Sequence, residues 1–371
     1  MDRRLFLQAA ALAPFAARAA GRGAPASDAG SRPVWLVGDA APPDPKMIAS
    51  VLARVADTAG VNDTYLQGGA VQALEHAFAE LLGKQDCAFF PTGTLANQVA
   101  IRVLAGENHH VLAQAESHLY RDESDTAERL AGLNLVPLAA GRATPSIAEL
   151  SDLIDQAEKG PYPLKVGALS IESPVRRQHG EMVPAAAVQS IAGLARQHGI
   201  KLHLDGARLL LAPPSLDIPS YVAPFDTIYV SLYKYLGAPF GAVLAGDAAT
   251  IERARDLRHV YGGLLYQGWL PAAVALDALR DFRPRISRAH EVGAQLVAAL
   301  TAGGKIRRRE MAQASNIYLL EMPEDIAKAA TARGDAAGVH VAKWRDGVLP
   351  LYVNETILRR KPEDYAALFA V

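Results

Sequence analysis

The chain has 371 residues, 50% hydrophobic, 21% charged and 6% aromatic, which excludes a disordered chain and supplies the core of one large or two linked globular domains. Its 38 basic and 39 acidic residues leave a formal net charge of -1, so it carries no electrostatic footprint for nucleic acid. A single cysteine, Cys87, rules out an intramolecular disulfide and a zinc site built from cysteines.

Residues 1–30 read as a signal peptide and linker. Arg3 and Arg4 precede Leu5, Phe6 and Leu7, and Ala17-Arg18-Ala19 offers a small-x-small cleavage site. The apolar run is too short to span a bilayer, so no stable membrane anchor is expected. The Arg-Arg-x-Phe-Leu pattern resembles a bacterial twin-arginine export signal, which implies a periplasmic protein exported already folded, or a cytoplasmic one if the signal does not function. The plain alternative is a ragged basic N-terminus. Residues 20–33 are rich in Gly, Ala, Pro, Ser and Arg and read as a flexible linker.

From there the body alternates helix and strand. Met47 to Ala59 has helical spacing, and Val71, Leu74, Phe78 and Leu81 form one stripe of a helix over 71–82. Short strands are expected at Cys87 to Phe90, Val111 to Ala113, Leu135 to Leu138, Val166 to Glu172, Leu202 to Leu204, Thr227 to Ser231 and Gly241 to Ala245. Helices are expected between them at 94–104, 147–158 and 184–198, the last stopped by Gly199. Strands joined by crossover helices predict an α/β fold with a mostly parallel sheet covered on both faces. The boundaries expected are a large domain over 31–250 and a smaller C-terminal α+β domain over 251–371. In the latter, helices near 271–282 and 288–300 precede strands at 317–320 and 349–353.

Ligands of an open α/β sheet gather beyond the carboxyl ends of its strands, and four segments lie there. In Phe90-Pro91-Thr92-Gly93-Thr94 a strand ends and a helix begins, so free N–H groups can hold a phosphate; Thr94 is otherwise a plain N-cap. In His203-Leu204-Asp205-Gly206-Ala207-Arg208, Asp205 can hold a protonated ring nitrogen and Arg208 can fork onto a carboxylate. The plain alternative is a structural Asp–Arg pair. His203 alternates with Asp205 as a metal ligand would, but no third ligand stands at a sensible spacing, so no metal is expected. In Ser231-Leu232-Tyr233-Lys234-Tyr235, an amine at a strand end in apolar, aromatic surroundings is costly to keep charged. Desolvation makes it a nucleophile toward a carbonyl, unless the chain snorkels to water. In Glu116-Ser117-His118, the imidazole can stack on a planar ring, shuttle a proton, or simply face solvent.

With YLQGGAVQALE, FFPTGTLANQVA, LHLDGARL and VSLYKYLGAPFGAVL in this order, the stretch from about Leu36 to Leu279 resembles the threonine aldolase and β-eliminating lyase family. Those proteins are pyridoxal-phosphate enzymes of fold type I. The resemblance implies that Lys234 carries pyridoxal 5'-phosphate as an internal aldimine and that Asp205 pairs with its pyridinium nitrogen. It further implies that His118 stacks on the ring and that Gly93, Thr94 and, as a lesser candidate, Ser231 bind the phosphate. Arg208 would grip the carboxylate of an amino-acid substrate. Tyr65 and Gln67 would lie near the site or reach a neighbouring subunit of a homodimer or homotetramer.

The implied reaction is retro-aldol cleavage of a β-hydroxy amino acid to glycine and an aldehyde. His118, His179, Lys234 or a water on the phosphate stand as its base. Four places depart from the family. Gly38-Asp39 replaces its Ser-Asp, Glu172-Ser173-Pro174 its Glu-Asn-Thr, Tyr266 an arginine after the Gly-rich run, and Pro350 an arginine of the C-terminal strand. Arg176, Arg177 or Arg258 are the candidates to assist Arg208. Two alternatives follow: β-elimination or other α-carbon chemistry on the same scaffold, and an exported binding protein that has lost catalysis.

Overall fold

The structure, a computed structural model, describes residues 32–55 and 60–370; the expected export signal and residues 56–59 of the first helix lie outside the described residues. Twelve strands are present among them: β1 (Val34–Leu36), β2 (Asp86–Phe90), β3 (His110–Gln114), β4 (Asn134–Leu138), β5 (Val166–Glu172), β6 (Lys201–Asp205), β7 (Thr227–Ser231), β8 (Ala242–Gly246), β9 (Arg307–Arg309), β10 (Ile317–Glu321), β11 (Val339–Val341) and β12 (Val348–Tyr352). Seven form one sheet in the order β2-β8-β7-β6-β5-β3-β4. β7, β6, β5, β3 and β4 are parallel neighbours, and β8 alone runs against both β7 and β2. β2 therefore points the same way as the parallel strands, and its carboxyl end opens on the same edge. Strands β5, β7 and β8 are buried at every residue, the pattern of strands covered on both faces.

The helix expected over 71–82 runs Gly69–Leu82 and stops at Gly83 in the left-handed conformation. Its buried stripe is Val71, Leu74, Phe78 and Leu82, with Leu81 only half-buried. Helix Gly93–Ala105 lies across β5, β6, β7 and β8. Two helices carried too weak an apolar period to be foreseen. Ala248–Val260 is dominated by charged residues, and Glu324–Ala336 buries mainly alanines behind Ile326. Helix Ala248–Val260 runs through position 250 and packs on β2 and on helix Gly93–Ala105.

β9, β10 and β12 form a separate antiparallel sheet. β1 pairs in parallel with β11, so the first of the described strands joins the C-terminal region. Three-residue strands such as β1 and β11 are shorter than any period can reveal. Among the described residues no helix is long and apolar enough to cross a membrane.

Phe78 is fully buried in the main core. Phe78→Ala should lower stability in urea unfolding by about 3–5 kcal/mol, the cost of lost burial plus a cavity.

Candidate active site

The carboxyl ends of β3, β5, β6 and β7 converge, and each delivers a polar group. Glu172 ends β5, Asp205 ends β6 and Tyr229 lies in β7, and the three are successive partners in the ladder. Two carboxylates thus stand side by side, both buried. Glu172 Oε2 accepts the backbone N–H of His118 at 2.6 Å, and Oε1 accepts that of Arg176 at 2.8 Å. This carboxylate ties the turn after β3 to the turn after β5. Burial foremost, then the charge of Asp205, raises the Glu172 pKa to about 7, against the lowering pull of its two amides.

Asp205 is held differently. Its Oδ1 accepts the backbone N–H of Ala207 at 3.1 Å, and its Oδ2 accepts Asn97 Nδ2 at 2.9 Å. His203, two residues earlier, is fully buried. Its Nε2 lies 3.0 Å from Asn97 Oδ1 and its Nδ1 2.9 Å from Thr227 Oγ1. Both ring nitrogens are engaged in protein hydrogen bonds, so the ring has no lone pair to offer a metal. Burial holds its pKa down at about 4, despite the carboxylate of Asp205. The ring is neutral.

Lys234 follows β7 on a turn that begins after Ser231. Its side chain is half-buried, and its Nζ lies 6.0 Å from the Tyr229 ring centre and 5.6 Å from that of Tyr233. Among the described residues it makes no hydrogen bond or ion pair. Burial, then repulsion by Arg208, lowers its pKa to about 8, with Asp205, Asp39 and Glu172 pulling the other way. Of the two readings of this lysine, the geometry favours the desolvated amine over the snorkelling one.

Arg208 is mostly buried and its Nε donates to Asp39 Oδ1 at 2.8 Å. Among the described residues its Nη groups have no hydrogen-bond acceptor, so half of the guanidinium fork remains for a ligand. Asp39 is brought in from the N-terminal segment by Asn354, whose Nδ2 donates to the carbonyls of Trp35 at 2.7 Å and Gly38 at 3.2 Å. Tyr352 of β12 shares the field of Asp39, Arg208 and Arg176, and burial holds its phenol up. The C-terminal region therefore shapes the site through Asn354 and Tyr352, although Pro350 stands where an arginine was expected and pairs with Leu319 in the sheet.

The helix start after β2 differs from expectation in one respect. The N-cap is Thr92, whose hydroxyl accepts Leu95 N–H, and Thr94 lies inside the first turn. The shift follows from the extended backbone of Thr92, which places its hydroxyl to accept the Leu95 N–H as an N-cap does. It frees the Thr94 hydroxyl from a capping role and leaves the N–H groups of Gly93 and Thr94 without intrahelical acceptors. A side chain at Gly93 would collide with the Tyr229 hydroxyl, so only glycine fits. The Ser231 hydroxyl is fully buried without an aligned hydrogen bond, beside the phenols of Tyr229 and Tyr233.

Tyr65 and Gln67 stand apart. They line a cleft of about 530 Å³ with Glu75, Arg255, Arg258 and His259, whose walls carry none of Lys234, Asp205, Arg208 or His118. Tyr65 and Leu66 both have positive φ, and the turn is held by Asp63, which accepts Leu66 and Gly268 N–H. Tyr266 packs edge-on against Tyr65 and is exposed. Arg258 is buried against the Phe89 carbonyl and the Phe90 ring, and Arg176 and Arg177 pair with Asp122. None of the three stands free beside Arg208. His179 is exposed on the turn after β5.

Sequence reasoning missed Asn97, Glu123 and the Asp39–Arg208 pair. Asn97 stood inside the quoted FFPTGTLANQVA stretch, one helical turn beyond Gly93, and Glu123 follows His118 by five residues. Only the spacing of Asn97 offered a signal.

A lysine amine, a buried aspartate, a neutral-amide helix start and a buried orphan hydroxyl, all at the carboxyl edge of a mostly parallel sheet, are the parts of a fold type I pyridoxal-phosphate enzyme. The residues fit that cofactor: Ser231 and the Gly93 and Thr94 amides are unpaired donors for its phosphate, and Asp205 is a fixed carboxylate for its ring nitrogen. The profile of the beta-eliminating lyase family matches residues 39–322. The chain belongs to that family, a family of pyridoxal-phosphate-dependent lyases.

Low-specificity L-threonine aldolase 1 of Arabidopsis thaliana is 28% identical over 267 residues, 68% of this chain and 71% of that protein. Alanine racemase TOXG of Cochliobolus carbonum is 30% identical over 236 residues, 62% of this chain and 59% of that protein. A solved structure from Exiguobacterium sp. 255-15, assigned in name to aromatic amino acid beta-eliminating lyase/threonine aldolase, superposes with a TM-score of 0.78 at 26% identity, covering 92% of this chain and 98% of its own.

The raised carboxyl of Glu172 gives a stability test on cofactor-free protein. The folded state keeps its proton between the ordinary value of 4.5 and about 7 while the unfolded state loses it. Stability from this group is therefore full below pH 4.5 and is lost as pH rises through that window. Glu172→Gln should gain on the wild type in urea-unfolding stability as pH is raised from 4.5 to 7. A constant difference would mean that the group titrates normally.

Proposed function

We propose that this protein is a lyase of aldolase type that cleaves a β-hydroxy amino acid to glycine and an aldehyde, with Lys234 as its cofactor-bearing residue. The observation that carries the reading is the Lys234 amine: unpaired, held near pKa 8 and set among Asp205, Arg208 and the aromatic rings of Tyr229 and Tyr233. When bound, pyridoxal phosphate supplies an electron sink next to the substrate α-carbon.

The chain's own residues do the rest. Asp205 would pair with the cofactor's ring nitrogen, and the His118 imidazole would lie against the ring. Ser231, Thr94 and the Gly93 and Thr94 amides would hold the phosphate, at the positive end of the helix that starts there. Arg208, braced at Nε by Asp39, has its Nη groups left to bind and orient the substrate carboxylate. Charge-assisted bonds of this kind contribute about 1.5–3 kcal/mol each, enough to set orientation. In place of the two absent arginines, Tyr352 offers a neutral donor beside Arg208. The relatives named as threonine aldolases support this substrate class.

A second reading, β-elimination or another reaction at the α-carbon, draws on Tyr266 and Pro350, which remove two arginines from the family pattern, and on the relative named as an alanine racemase. It differs in product: a keto acid and ammonia, or the inverted amino acid. We also propose export to the periplasm under the Arg3-Arg4 signal, and a homodimer or homotetramer in which Tyr65 and Gln67 approach a neighbouring subunit. The exposed Tyr65 and Tyr266 support that surface.

Borohydride reduction of the reconstituted protein should leave the cofactor label on the peptide carrying Tyr233 and Tyr235, and Lys234→Ala should abolish it. Aldehyde release from threonine, allo-threonine or phenylserine should fall in that variant by more than about a thousandfold. Labelled protein that releases aldehyde from none of the three would overturn the aldolase reading in favour of the second. The rate of label formation should rise with pH through about 8 and then level off, because the ammonium below that value cannot attack a carbonyl.

A further inference from the structure

His118 does not stand alone at the site. Its Nδ1 lies 2.9 Å from Glu123 Oε1, and the Glu123 side chain is 1% exposed against 34% for the histidine. The same Oε1 accepts Asn97 Nδ2 at 2.9 Å, and Oε2 accepts Gln98 Nε2 at 2.7 Å. Asn97 Nδ2 also donates to Asp205 Oδ2 at 2.9 Å. One amide group thus spends its two protons on two buried carboxylates, one under the histidine and the other at the end of β6.

The orientation of that amide follows from chemistry. Facing Glu123 and Asp205, two acceptors, must be the NH2 end, which turns Oδ1 toward His203 Nε2. The neutral His203 must then carry its proton on Nε2, and its Nδ1 accepts from the Thr227 hydroxyl. The chain Thr227–His203–Asn97–Glu123–His118, with Asp205 as a branch, has a consistent donor and acceptor at every joint. Glu123 accepts an amide proton on each oxygen, from Asn97 on Oε1 and from Gln98 on Oε2, as a carboxylate does. The His118 contact is therefore its Nδ1–H donating to a charge.

We propose that Glu123 and Asn97 are positioning residues: Glu123 holds His118 as an imidazolium against the cofactor face, and Asn97 couples that ion pair to Asp205 so that both are set in one geometry. On this assignment His118 stabilises negative charge and donates protons, and it is not the group that accepts the substrate hydroxyl proton. The charged groups that face the ring are Glu123 on its own turn, Glu172 from β5 and Asp205 from β6. All three are acidic. The hydrogen bond to Glu123 is the largest influence raising its pKa, against partial burial. Arg176 and Arg177 are held on Asp122 beside it.

The statement about cofactor geometry rests on the pyridoxal-phosphate reading, but the ion pair does not, which separates the two in the laboratory. In cofactor-free protein, NMR titration of the histidine side chains should place His118 above the ordinary 6.5. Glu123→Gln should lower its midpoint by about one pH unit or more, and Glu123→Asp should restore part of the shift. In protein given pyridoxal phosphate, Asn97→Leu should raise the dissociation constant about tenfold and move the pH at which the bound cofactor's absorbance changes.

A wild-type His118 that titrates below 6.5, or a midpoint unmoved by Glu123→Gln, would overturn the proposal whatever the cofactor does. The wild-type titration alone decides if the variants fail to fold. Should the wild type bind no pyridoxal phosphate while His118 titrates high and responds to Glu123, the functional reading falls and the ion pair stands.

Discussion

The site depends on a carboxylate buried inside the protein at the end of β6. An isolated buried carboxylate takes up a proton rather than bear the loss of hydration. Asp205 has a hydrogen-bond donor on each oxygen, the Ala207 amide on one and the Asn97 amide on the other. Its ladder neighbour Glu172 shows the contrast. Both of its oxygens accept backbone amides, yet burial foremost and then the charge of Asp205 push its carboxyl up. Two acids one strand apart are thereby given different hydrogen-bond partners, a side-chain amide on one and backbone amides alone on the other.

The lysine is the counterpart. Near Asp205 alone it would stay an ammonium. Arg208 changes the balance, since a second fixed cation and the loss of water together outweigh the carboxylates and bring the amine down to about 8. Asp39 keeps this from going further by neutralising one edge of Arg208. The N-terminal segment and Asn354 of the C-terminal region hold Asp39 in place, so the setting of the Lys234 amine depends on parts of the chain more than 300 residues apart.

The departures from the family pattern acquire a structural sense. Pro350 sits within a regular antiparallel pair opposite Leu319, and Tyr352, two residues on, is the side chain that reaches the charged cluster. Tyr266 packs with Tyr65 at the mouth of another cleft. Among the arginines considered, Arg176 and Arg177 are engaged by Asp122 and Arg258 by the Phe89 carbonyl, which leaves Arg208, braced by Asp39, beside the buried carboxylates.

The strands of the large sheet and most of its crossover helices were legible in the sequence, because buried parallel strands are short apolar runs and their helices carry a strong period. Lys234, Asp205, Arg208, His118 and Gly93 could be picked out for the same reason: each follows such a run, and the carboxyl ends of parallel strands share one edge. Charged or alanine-rich helices and three-residue strands were hidden, since their burial comes from neighbours rather than from their own pattern. Glu123 and the pairing of Asp39 with Arg208 could not be foreseen, nor the hub role of Asn97. A residue type at a strand end is a local property written in one dimension. Which acid faces which cation, and with which protonation state, is decided by distance and burial, and these exist only once the chain has folded.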